Sequence, residues 1–130
     1  MWFASLAVVA PPPSAATQGQ DIVVQVSVFR AEIERILRSD NLDTLGGRPR
    51  EVADIMARIS KGRAPADFWR SYQRHVDAWQ RFAEATDSGA DHDELIADER
   101  ELNSTFDDVE RIARRYGAHM PQPRIAARAP

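Results

Sequence analysis

The 130-residue chain contains no cysteine. Disulfides, thiolate nucleophiles, zinc fingers, cysteine-ligated iron–sulfur clusters and haem attached through Cys are therefore excluded. Lysine is nearly absent as well: of 17 basic residues, Lys61 alone is not an arginine, a bias expected of a GC-rich, bacterial genome. With a net charge of −3 there is no general electrostatic reason to expect nucleic acid as a partner. Long hydrophobic runs are missing too. The longest, Trp2 to Ala10, is nine residues with Ser5 inside it, far short of the roughly 20 that span a bilayer, so no transmembrane segment is expected.

Catalytic motifs are equally scarce. No glycine-rich phosphate loop is present, and no Ser, Thr or Lys stands in a nucleophile motif. The calcium-loop pattern is absent. The Glu-x-x-His pairs of di-iron bundles are absent also, because Tyr72, Gly89 and Tyr116 precede His75, His92 and His119 by three. The expectation is a protein that is not an enzyme and carries no resident metal or cofactor.

What is present is helical periodicity. In the stretch DFWRSYQRHVDAWQRFAEA, Phe68, Tyr72, His75, Trp79 and Phe82 recur at alternating intervals of four and three, one face of a helix. Trp69, Val76 and Ala83 widen that face. Five of the ten aromatic residues fall here, each able to bury roughly 150–250 Å². This segment is expected to be the helix on which the others pack, with Trp79 as a core anchor touching the first and fourth helices.

Taken in order, residues 1–16 form an apolar, proline-ended segment that reads as an export signal, with small residues Ser14 and Ala16 suiting cleavage before Thr17. The competing reading is an apolar arm packed on the bundle or on another chain. Residues 17–118 are expected to form the bundle. Ile22, Val26, Phe29, Ile33 and Ile36 stripe a first helix over Asp21 to Ser39, which Arg30–Glu34 and Glu34–Arg38 pairs would support. Asp40-Asn41 and Gly46-Gly47 bracket a turn, with Leu42 and Leu45 dipping toward the core. Pro49 opens a short second helix to Ser60, and Gly62 ends it. Pro65 opens the central helix, which closes between Thr86 and Gly89. A fourth helix runs from Asp91 to Tyr116 with Gly117 as its stop, and Ser104 marks a kink or break within it. Residues 119–130 read as a disordered tail. The fold class is all-α: an up-down antiparallel bundle of about four helices with a short second helix.

Charge is split along the chain. Between Asp91 and Glu110 nine acids face Arg100 alone, whereas Arg111 to Pro130 holds five arginines and no acid. Glu94 and Asp98 have the i, i+4 spacing a cation site would use, but acids at a helix start simply complement its dipole. The tail arginines Arg124 and Arg128 are too few for lipid or nucleic-acid recognition. The split charge and the flanking segments point to a non-enzymatic interaction or structural module with a protein partner, periplasmic or secreted if the leader functions and cytoplasmic otherwise. The alternative is a haem- or metal-binding bundle in which His75, within the apolar stripe, acts with Met56 as the cofactor-binding pair.

Overall fold

The computed structural model describes residues 15–40 and 48–121. The leader expected over residues 1–16, apart from the backbone at its end, lies outside the described residues, as do Leu42, Leu45 and residues 122–130 of the tail. Four helices follow one another: α1 Ala15–Asp40, α2 Pro49–Ala57, α3 Ala66–Asp87 and α4 His92–Arg115. About four-fifths of the described residues are helical, and no strand occurs among them.

Side-chain bonds fix the directions. Along α3 and α4 the pairs Asp67–Tyr116, His75–Thr105 and Arg81–Glu101 bring rising numbers against falling ones, so the two helices are antiparallel. The Arg50–Asp87 ion pair sets the start of α2 against the end of α3. Midway along α1, Phe29 meets the ring of Tyr116 edge-on at 5.8 Å; at its last residue, Asp40 accepts from the Tyr72 hydroxyl. Helix α1 therefore runs alongside α3 in the same sense, as up-down packing requires.

Local chemistry ends each helix. Asp91 caps α4, accepting from the Glu94 backbone N–H at 2.9 Å. Pro49 occupies the first turn of α2, where its missing N–H costs nothing. Both α3 and α4 close in Schellman motifs: Ala90 N–H donates to Ala85 C=O and Ala118 N–H to Ala113 C=O, turned by Gly89 and Gly117 at positive φ. No break occurs at Ser104. Helix α4 runs through it because Leu102, Val109, Ile112 and Ala113 stay buried on one continuous face. On α4, Arg114 pairs with Glu110 and Arg111 with Asp108, whereas on α1 Glu34 accepts from the His119 backbone N–H.

The core gathers on α3. Phe68 and Tyr72 are fully buried with Ile33, Ile36, Met56 and Val109. Phe68 and Trp69 each stack on Tyr72, at 6.0 and 5.8 Å. Trp79 is only half-buried and packs at the core's edge, so it is not the fully enclosed anchor its place in the stripe suggests. The other departure is at the start of α1. The stripe is buried at Ile33 and Ile36 but not earlier: residues 18–26 are all exposed, with Ile22 at 61% and Val23 at 65%. Over residues 18–26, about 13 Å at 1.5 Å per residue, the helix outruns the other described helices.

Candidate functional site

Four elements converge on one cavity of about 240 Å³. Helix α1 contributes Leu37 and Asp40, α2 contributes Val52 and Met56, α3 contributes His75 and Trp79, and α4 contributes Phe106 and Val109. Met120 and Pro121, half-buried, sit with the 40%-exposed Phe106 at its margin. The structure thus places His75 and Met56 on the wall of the same cavity.

The surroundings of His75 determine what it can do. Its side chain is buried at 7% exposure, and Trp79 one turn on donates its indole Nε1–H to Nε2 at 3.3 Å. The other nitrogen, Nδ1, lies 2.8 Å from Thr105 Oγ1. That hydroxyl is within reach of the Glu101 and Leu102 carbonyls, at 3.0 and 3.1 Å, and its single proton goes to them. The chain of donors has one consistent assignment: Trp79 to Nε2, Nδ1–H to Thr105, Thr105 to the α4 backbone. It fixes the neutral imidazole protonated at Nδ1. Protonating Nε2 would set two N–H groups against each other, and burial pushes the pKa in the same direction, down to about 4. A metal or haem iron at Nε2 would have to displace the Trp79 indole, since both ring nitrogens are already engaged.

Asp40 is the chemically unusual group. It is the last residue of α1, where the carbonyl end of the dipole disfavours an anion. Burial against the apolar walls pushes its carboxyl up to about 7, with the Tyr72 hydroxyl at 2.9 Å pulling weakly the other way. None of the described residues lining the cavity is Lys or Arg, and Asp40 takes part in no ion pair among the described residues. Tyr72 in turn has its own pKa driven far up by burial and by that carboxylate.

Sequence reasoning treated Asp40 as a turn residue. The signal was available: Asp40 stands four after Ile36 and seven after Ile33, an acid on the buried stripe. The acidic run at the start of α4 gathers no site. Among the described residues no three His, Asp or Glu side chains converge as metal ligands would. On the outside, Ile22, Val23, Val24 and Val26 expose an aliphatic surface on the α1 overhang.

The fold and this cavity define a small helical bundle with an apolar chamber between its helices, on whose described wall Asp40 is the one acid. Comparisons with protein-family models, with curated proteins and with solved structures find no match to it.

Proposed function

We propose that the chain is a non-enzymatic interaction module that associates through the overhang of α1, and that the partner is a second copy of itself. The observation that carries this reading is the exposure of Ile22, Val23 and Val26, at 61, 65 and 42%, on a helix whose next turns are core. The intervals Ile22–Val26–Phe29–Ile33–Ile36 are those of a two-helix seam. Inside the bundle that seam is filled; beyond it nothing among the described residues covers it. Between Ala15 and Phe29 the only charge is Asp21, so two overhangs can pair with little electrostatic opposition. An isologous pairing buries the same residues on both copies. Exposed aliphatic surface of this kind favours association over solvation.

Sedimentation of the full chain tests the reading. Wild type is expected to run as a dimer at micromolar concentration. The double variant Ile22→Glu/Val26→Glu is expected to run as a monomer with an unchanged urea midpoint, because neither side chain belongs to the core. A wild-type monomer up to millimolar concentration would overturn self-pairing. Export belongs to the same reading: a mature chain starting at Thr17 retains the whole seam, and its intact mass from the native cell reports that start.

A further inference from the structure

We propose that the cavity between the four helices binds a small apolar molecule ending in a primary ammonium group, which Asp40 receives as hydrogen-bond acceptor and counter-ion. The polarity comes first. Asp40 is the only described anionic side chain on the wall, no described Lys or Arg lines the cavity, and Tyr72 is the one described side chain bonded to it. A carboxyl in such surroundings stays costly until a cation or a proton joins it. His75 cannot serve, since Trp79 and Thr105 hold it neutral. Among the described residues no cation stands ready for it, and an ammonium ligand would supply one.

The remaining walls describe the body of that ligand. Leu37, Val52, Met56 and Val109 are aliphatic, and the rings of Trp79 and Phe106 suit both an organic ring and the flank of an ammonium. An apolar cavity of about 150 Å³ holds benzene, so 240 Å³ has room for one ring and a short chain. The site is independent of the pairing surface. Asp40 follows Val26 by fourteen residues, about 21 Å along α1.

Binding an ammonium requires the carboxylate, so affinity is tied to pH. Among the described residues the titratable groups around Asp40 are Tyr72, bonded to it, and His75 on the same cavity wall, both from α3; α2 presents Val52 and Met56, and α4 presents Phe106 and Val109, none of which titrates. His75 stays neutral above pH 5 because its own pKa lies near 4. With Asp40 near 7, amine affinity should fall about tenfold for each pH unit below that point.

The experiment titrates 2-phenylethylamine into the full chain by calorimetry, with 2-phenylethanol as the neutral isostere. At pH 8 the amine is expected to bind at least tenfold more tightly than the alcohol. That advantage should decline on the order of 100-fold by pH 5. Asp40→Asn, checked for an intact thermal transition, should bind the amine no better than the alcohol. Equal affinities for the two ligands in wild type would overturn the proposal, as would amine binding independent of pH or undetectable at millimolar ligand. The isostere and pH comparisons need no variant, so a poorly folded Asp40→Asn chain leaves the proposal falsifiable.

Discussion

The Tyr72 hydroxyl donates to Asp40 Oδ2 at 2.9 Å and so ties the second turn of α3 to the last residue of α1. One turn along α3, His75 lines the same cavity as a neutral imidazole. The molecule therefore keeps an acid that holds its proton too tightly beside a base that holds its proton too weakly.

The two groups act on stability with opposite signs. Asp40 rises from 3.8 to about 7 on folding, so between those values the folded state binds more protons, and stability grows as pH falls. His75 drops from 6.5 to about 4, so the unfolded state binds the extra proton and stability shrinks as pH falls through that window. From pH 6.5 down to about 4 the slopes oppose, and wild type should change little in urea midpoint through these two groups. Asp40→Asn removes one side of the balance. It should be more stable than wild type at pH 8, then lose about 1.4 kcal/mol per pH unit below 6.5. Urea melts at pH 8, 6 and 4.5 check this, and a variant profile as flat as wild type would refute it.

Truncations along α3 should rank by burial rather than by ring size. Phe68, fully buried, should lose about 3–5 kcal/mol as Phe68→Ala. That is a large share of the roughly 5–15 kcal/mol available to a domain of this size. Trp79→Ala removes a half-buried ring beside an existing cavity and should cost about half as much. Arg74→Ala, on the exposed face, should fall below about 0.5 kcal/mol. Denaturant midpoints give the order directly, and a Trp79 cost above that of Phe68 would contradict it.

The turn after α2 offers a backbone test. Gly62 sits at φ 53°, and a Cβ there would lie 2.7 Å from Arg35 Nη2, the group that donates to the Ser60 carbonyl at 2.9 Å. Gly62→Ala should cost about 1–3 kcal/mol, combining left-handed strain with displacement of that arginine. Gly89 has a similar φ of 71° with nothing within 4 Å, so Gly89→Ala isolates the strain alone. Equal losses at the two sites in thermal melts would show that Arg35 yields freely.

The four helices were legible because period, proline and glycine agree. The stripe through Phe68, Tyr72 and His75 is buried as spaced, and Pro49, Gly89 and Gly117 stand at the ends they mark. Ser104 misled because a cap-like residue inside a continuous apolar face does not stop a helix whose burial carries it forward. Ile22 and Val26 misled in another way. Periodicity shows which side of a helix is apolar, but the length of the neighbouring helices decides where that side is covered. His75 and Met56 could be named individually, and their shared cavity depends on helix order and registry. The Trp79–His75–Thr105 chain depends on rotamers, for which spacing holds no signal. Ser71 went unread for the same reason: its hydroxyl is buried without a partner, in a column of small residues with Ala78 and Ala85.

The α1 overhang has a thermodynamic consequence of its own. A dozen residues rich in valine are near the lower length at which a helix persists in water, and β-branched side chains weaken it further. With none of the other described helices packed on it, this part of α1 spends its backbone bonds on marginal local cooperativity while the rest of the bundle is locked by its core. Its amides should exchange with solvent orders of magnitude faster than those of α3. Ordering the chain and recruiting a partner then become one equilibrium, in which dilution unwinds the exposed turns of α1 and association winds them up again.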